Sequence, residues 1–150
     1  MTKPNKPTFS LTTKNPPQLY SPRQLGYSHI CEVKHFNTVV HISGQGGENA
    51  EGHYSTDYSE QLNQVFENLK IALSYAHIDF YNIAVLSVLI VNFDQQKHHL
   101  LNLKMNTIWK DQNFPACTLI PVSRLALDAM QIEIEATAYC SSSTEPFIHV

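Results

Sequence analysis

The sequence predicts an α+β fold in which one mixed β-sheet packs against two helices. Three observations lead to this prediction. Two β-rich runs come first, two segments with apolar residues at helical spacing follow, and a β-rich run comes after each of these segments. The predicted order is ββαβα with one or two further strands, ββαβαββ in full. At 150 residues, the chain fits a single domain with one hydrophobic core.

The first two predicted strands are "YSHICEV" (27–33) and "TVVHIS" (38–43), which are separated by "KHFN". A connection of this length suits a hairpin, so we expect the two strands to pair with each other in antiparallel orientation. The loop that follows, "GQGGENAEGH" (44–53), holds four of the five glycines. It contains neither GxxxxGK[ST] nor GxGxxG, so a phosphate-binding loop is not indicated.

The segment after Asp57 has the spacing of apolar residues that is typical of a helix. Asp57 and Glu60 are placed as a capping-box pair at its start. The continuous run "IAVLSVLIV" (83–91) comes next and predicts a strand that is buried on both faces. The apolar residues that define the helix are Leu62, Val65, Phe66, Leu69, Ala72, Leu73 and Ala76.

A second helix is predicted after this strand, and it should end before Asn113 and Pro115. The strands "CTLIPV" (117–122) and "QIEIEATAY" (131–139) follow, and the second of them alternates apolar and polar residues. The apolar side of the helix, which should pack on the sheet, is formed by Leu101, Met105, Ile108 and Trp109.

Both ends of the chain are expected to lie outside the domain. Residues 1–22 contain five of the eight prolines and no apolar periodicity, which predicts an extended N-terminal arm. The domain itself is expected to span residues 23–140, with a C-terminal tail at 141–150.

The charge balance disfavours broad binding to nucleic acid. The net charge is −3, from 10 basic and 13 acidic residues, and the basic residues form no dense cluster. The two arginines are Arg23 and Arg124, so a bidentate clamp on a carboxylate must use one of them. Charged residues make up only 15% of the chain, which favours burial of surface by self-association.

Three cysteines without a CxxC spacing, together with a polar start, predict a reduced protein in the cytoplasm. The longest apolar run, at 83–91, is far shorter than the roughly 20 residues that a membrane helix needs. The histidines include no HxxxH pair, so we expect no metal, and no motif calls for a cofactor.

Four motifs together resemble the RidA/YjgF family, also called reactive-intermediate deaminases or L-PSP endoribonuclease-like proteins. They are "ISGQ" (42–45), "FENLKIAL" (66–73), "NFPACT" (113–118) and "IEIEATA" (132–138). The resemblance covers roughly residues 24–140. It implies a chorismate-mutase-like homotrimer with a central barrel and a small-molecule cleft at each subunit interface. It also implies hydrolysis of enamines and imines, such as 2-aminoacrylate, to a carbonyl product and ammonia.

One position departs from the family pattern. Family members carry an Arg after "PA" that clamps the substrate carboxylate, and here that position is Cys117. A thiol cannot make this bidentate contact, whose loss costs about 1.5–3 kcal/mol of binding. Arg124 or Arg23 is left to replace the clamp. Cys117 itself is either a nucleophile, which would need a lowered pKa, or a small half-buried strand residue.

The other cleft residues are implied by the resemblance, position by position. Glu133 matches the Glu that positions water, and Ser43 matches the Ser of the cleft, so these two are the expected catalytic residues. Asn102 matches an Asn on the second helix, and Tyr27 matches an aromatic wall of the cleft. The expected substrate-binding residues are therefore Tyr27, Gly44, Asn102, Cys117 and Arg124.

Each of these residues also has an ordinary structural interpretation. Glu133 shares a strand face with polar neighbours, as a solvated residue would, and Ser43 could cap a turn. Asn102 could be an exposed helix residue, and Tyr27 could pack at the edge of the sheet.

Three functions stay open at this point. The first is hydrolysis of reactive imines, on substrates without a carboxylate or with Arg124 as the replacement clamp. The second is a non-catalytic member of the family that binds and senses a small metabolite. The third and weakest is RNA cleavage, which the acidic balance of charge disfavours.

Overall fold

A computed structural model describes residues 8–141 of the chain. Two single-turn 3-10 helices accompany the main elements, at Arg23–Leu25 and Phe80–Asn82. The main elements, in chain order, are β1 (Ser10–Lys14), β2 (Ile30–Lys34), β3 (Thr38–Gln45), α1 (Tyr58–Tyr75), β4 (Ile83–Val91), α2 (Gln95–Ile108), β5 (Ala116–Val122) and β6 (Ile132–Cys140).

The central sheet has four strands in the order β3-β6-β4-β5. It is mixed, because β6 pairs antiparallel with both β3 and β4, whereas β4 and β5 are parallel. A parallel pair needs a crossover connection, which α2 provides. The prediction of two helices on a mixed sheet is therefore confirmed, and β3 and β5 form the two edges of that sheet.

The predicted hairpin between the first two strands is wrong. Within the described residues, β2 pairs with β1 in a separate two-stranded sheet, and β3 pairs with β6. The chain turns between β2 and β3 at His35, whose φ of 56° is left-handed. The backbone of each predicted hairpin strand is thus satisfied by a more distant segment. β1 lies inside the segment predicted as an extended arm; residues 1–7 of that arm and 142–150 of the predicted tail lie outside the described residues.

Helix α1 begins as predicted at Asp57, whose side chain accepts a hydrogen bond from the backbone N–H of Glu60. The second half of the predicted capping box differs, because the Glu60 carboxylate accepts a hydrogen bond from the Ser55 hydroxyl instead. That hydroxyl in turn accepts from the backbone N–H of Asp57. Asp94 caps α2 in the same way as Asp57 caps α1.

The hydrophobic core lies between the two helices and one face of the central sheet. One buried polar residue, Gln61, is fully shielded from solvent and fully bonded. Its amide nitrogen donates to the carbonyls of Ser55 and Ala129, and its amide oxygen accepts from the N–H of Gln131. These bonds fix the start of α1 against the entrance of β6.

Strand β4 is buried on one face only within this chain, which differs from the predicted burial on both faces. Leu86, Val88 and Ile90 are completely buried, whereas Val85 is 44% exposed. The helices cover the first face, and nothing in residues 8–141 covers the second to the same extent. The apolar composition of this strand therefore exceeds what a single chain buries.

Leu69→Ala should lower the free energy of unfolding by about 2–5 kcal/mol, because this fully buried side chain leaves a cavity when it is truncated. Ile71→Ala is the matched control on the same helix; Ile71 is 66% exposed, and its truncation should cost about 0.5 kcal/mol or less. Urea unfolding of the three proteins measures both values. Equal losses for the two variants would contradict the packing of α1 described here.

Candidate functional site

The residues expected in one cleft, except Arg124, fall into two separate groups in the single chain. The first, the Glu133 group, consists of Ser43, Gly44, Glu133 and the neighbouring Glu48 and Tyr54. The second, the Cys117 pocket, is a cavity of about 280 Å³. It is lined by Tyr20, Leu25, Gly26, Tyr27, His98, Leu101, Asn102, Met105, Cys117, Thr118 and Leu119.

The carboxylate of Glu133 lies directly over Gly44. A Cβ atom at Gly44 would come within 2.6 Å of the carboxyl carbon of Glu133 and 2.8 Å of its Cγ. The position of Gly44 follows from a β-bulge, since Ile42 pairs with Ala136 whereas Gln45 pairs with Ile134. The extra residue bends the end of β3, and the missing side chain at Gly44 leaves room for the carboxylate.

Tyr54 stands beside Glu133 at the far end of the glycine-rich loop. The loop closes on itself through an isolated bridge between Glu48 and Tyr54. Burial raises the pKa of the Tyr54 phenol, and the negative charges of Glu48 and Glu133 raise it further. The Glu133 group therefore combines two carboxylates with a protonated phenol, which suits orienting water or holding a proton.

Three different elements bring the Cys117 pocket together. Tyr27 follows Gly26, whose φ of 72° turns the chain where a Cβ would lie 3.0 Å from Met105. Asn102 projects from α2, and Cys117 is the second residue of β5. The hydroxyl of Tyr27 is hydrogen-bonded to that of Tyr20.

The two ionisable groups among the predicted residues of the pocket stay neutral near pH 7. Burial raises the pKa of the Cys117 thiol to about 12. Burial, and then the hydrogen bond with Tyr20, raises the pKa of Tyr27 to about 12. A thiol with a raised pKa is a poor nucleophile, so the structure favours the half-buried strand interpretation of Cys117. The side-chain oxygen of Asn102 is buried and accepts no hydrogen bond from the described residues.

The two groups lie on opposite faces of the central sheet. Cys117 is in register with Leu86, and Leu86 with Ala136, so Cys117 faces the helices as these residues do. Glu133 is three residues from Ala136 on β6, and an odd separation along a strand reverses the face. The groups also belong to opposite edges, since Gly44 is on β3 and Cys117 on β5.

Neither arginine contacts the Cys117 pocket. Arg124 follows β5 at the end opposite to Cys117, at a distance of roughly 20 Å along the strand. It pairs there with Asp128, with 2.9 Å between Nη2 and Oδ1, and both side chains are exposed. Arg23 lies in the 3-10 turn that precedes Gly26, and it is exposed beside the pocket without lining it.

Several lining residues were not predicted from the sequence. His98 precedes Asn102 by four residues on α2, a spacing that places both on one helix face and could have identified it. Tyr20 had no comparable signal, because it lies in a segment without periodicity. The described residues hold no group of three metal-binding side chains, and neither of their helices is long and apolar enough to cross a bilayer.

Cys117 should resist alkylation by iodoacetamide in the native protein at pH 8. With a pKa of about 12, only roughly one thiol in 10⁴ is ionised at that pH, and the rate should rise about tenfold per pH unit up to pH 11. Peptide mass spectrometry after timed labelling measures this, with the urea-unfolded protein as the control. Equal labelling rates in native and unfolded protein would contradict the burial of this thiol.

Comparison with known proteins places this chain in a family. The family model described as endoribonuclease L-PSP matches residues 21–140. The structure of YyfB, a Rid-family protein of unknown function from Yersinia pestis, is similar with a TM-score of 0.81 and 30% identity, over 86% of this chain and 98% of that one. RidA from the Antarctic bacterium Psychrobacter is similar with a TM-score of 0.62 and 25% identity, over 75% of this chain and 87% of that one.

The yjgF gene product of E. coli is similar to the same extent as Psychrobacter RidA, with a TM-score of 0.60 and 25% identity, over 75% of this chain and 87% of that one. No match was found among curated proteins. The family model covers most of the chain, and the match to YyfB spans 98% of that protein. The chain therefore belongs to the RidA/YjgF family.

Proposed function

We propose that the protein is a homotrimer whose three interfaces each join the Cys117 pocket of one copy to the Glu133 group of another, forming a cleft that hydrolyses a small imine or enamine. The observation that carries this proposal is the separation of the two groups onto opposite faces and edges of one sheet. A single copy cannot close one cleft from both groups, whereas two copies that meet edge to edge can.

The open face of the central sheet supports association. Exposed apolar side chains stand on three of its four strands: Val39 of β3 is 40% exposed, Val85 of β4 44% and Ile120 of β5 44%. A sheet face that leaves such side chains open is a candidate surface for another subunit to cover. In a trimer with the sheets inside and the helices outside, these side chains would form the centre.

The chemistry of the proposed cleft follows from its two halves. An enamine first takes up a proton at its terminal carbon and loses one from nitrogen, which gives the imine. Water then adds to the C=N carbon, a proton moves to the nitrogen, and ammonia leaves as the carbonyl forms. The Glu133 carboxylate would accept a proton from the attacking water, and the neutral Tyr27 phenol would donate a hydrogen bond to the substrate. Ser43 and Gly44 would line the side from which the water arrives. We also infer a cytoplasmic location, since the cysteines are free thiols in the described residues.

A second candidate function is ligand binding without catalysis. The observation that favours it is the neutral thiol at Cys117, in a pocket whose lining includes no arginine or lysine to hold an anionic substrate. RNA cleavage, which the name of the family model raises, has no such support, because the net charge is −3.

Sedimentation equilibrium should give three times the chain mass of 17.0 kDa. Val85→Asp should reduce this to the mass of one chain, because it places a charge in the apolar centre of the trimer. Leu103→Asp is the control, since Leu103 is 52% exposed on α2, on the helical side. A monomeric wild-type protein would contradict the proposed cleft and every role that depends on the interface.

Hydrolysis is measured as ammonia release from freshly generated 2-aminoacrylate. We expect a slow reaction with the wild type, a rate higher by about tenfold or more with Cys117→Arg, and a loss of about 10²-fold with Glu133→Gln in either background. The gain follows from a restored clamp on the carboxylate and the loss from a missing proton acceptor. If neither the wild type nor Cys117→Arg exceeds the rate in buffer, hydrolysis is excluded and the binding function replaces it.

A further inference from the structure

We propose that the Cys117 pocket holds an uncharged group that presents an N–H donor next to a hydrogen-bond acceptor, such as a primary amide, and discriminates against a carboxylate of the same shape. This inference names the ligand class of the proposed cleft and rests on the proposed function only in treating the pocket as its ligand-binding part.

The size of the pocket limits the ligand to a small molecule. Its volume of about 280 Å³ is just below the range of roughly 300–1,000 Å³ that is usual for ligand sites. Leu25, Leu101, Met105 and Leu119 form its apolar wall. A short carbon skeleton fits such a wall, with its polar end directed at the remaining side chains.

The lining contains no fixed charge. Lysine, arginine, aspartate and glutamate are all absent from it, and His98 is its one basic side chain. A carboxylate that entered would lose water and gain no guanidinium or ammonium partner, which is costly in a partly buried site. An amide of the same shape carries no net charge and avoids most of this cost.

Asn102 supplies an unused acceptor. Its side-chain oxygen is buried without a hydrogen-bond donor among the described residues, and it lies 3.6 Å from the position of a Cβ at Gly26. The residue does not need this oxygen for the helix, because the bond from Asn106 goes to its backbone carbonyl, at 2.8 Å. A ligand N–H would satisfy the oxygen, whereas a carboxylate would repel it.

The two tyrosines supply the complementary donor. The hydroxyls of Tyr20 and Tyr27 bond to each other, so one of the two protons is used between them and the other stays available. One acceptor and one donor at the same cavity match the N–H and C=O of an amide.

In the proposed trimer, the Glu133 group of another copy would strengthen the discrimination against a carboxylate. That group brings the carboxylates of Glu133 and Glu48, and no ion pair offsets either of them among residues 8–141. Of the two arginines, Arg124 is paired with Asp128 far from the pocket, which leaves Arg23 at its border as the nearest alternative cation.

The test compares matched amides and acids at pH 7: propionamide with propionate, and pyruvamide with pyruvate. Protein-observed NMR titration gives the dissociation constants, with Tyr27, Asn102 and Cys117 as reporters. For the wild type we expect each amide to bind about tenfold or more tightly than its acid. Asn102→Leu should remove most of this preference, and Cys117→Arg should reverse it.

Two control variants accompany this comparison. Asn106→Leu removes an amide one turn further along α2 that bonds only to the backbone carbonyl of Asn102 and does not line the pocket, and it should keep the amide preference. Arg23→Ala should leave the binding of the acids unchanged. The proposal is overturned if the acids bind the wild type as tightly as the amides, if neither class shifts the reporters, or if acid binding depends on Arg23.

The outcome is separable from that of the proposed function. Amide preference in a protein that hydrolyses nothing would uphold this inference and exclude the catalytic role. Hydrolysis by a protein that binds the acids more tightly than the amides would uphold the catalytic role and exclude this inference.

Discussion

The alternation of side chains across the central sheet is the constraint on which this structure depends. Successive residues of β4, β5 and β6 point to opposite faces, and only one face is covered by α1 and α2 within the chain. This alternation places Cys117 and Glu133 on opposite faces and leaves Val85 exposed. It also means that β4 carries more apolar side chains than a single chain buries. The fold and the candidate site are therefore two consequences of the same periodicity.

The loop that carries Glu48 and Tyr54 owes its position to contacts on the helical side. The side chain of Asn68 on α1 donates to the carbonyls of Gly46 and Glu48, and Gln61 holds both Ser55 and the entrance of β6. The loop beside the Glu133 carboxylate is thus held by α1, although that carboxylate lies on the other face of the sheet. Preorganisation of this kind keeps polar groups aimed before any ligand arrives.

Local patterns predicted both long helices and strands β2 to β6, whereas β1 was missed and the pairing of β2 with β3 was wrong. The spacing of Leu62, Val65 and Leu69 was sufficient for α1, because a helix is made of local contacts. The hairpin prediction failed because β3 takes its partner from β6, about a hundred residues later. The motifs supplied the residue types of the site, but the face that each occupies follows from strand register, which only the structure gives.

The hydroxyl pair of Tyr20 and Tyr27 has a further consequence. Tyr20 precedes the part of the chain that the family model matches, residues 21–140, and it is 61% exposed. One wall of the pocket is therefore supplied by a segment that the sheet and helices do not require for their own packing. A substitution at Tyr20 would therefore alter the pocket without disturbing the sheet or the helices, so ligand selectivity and fold stability rest on different parts of the chain.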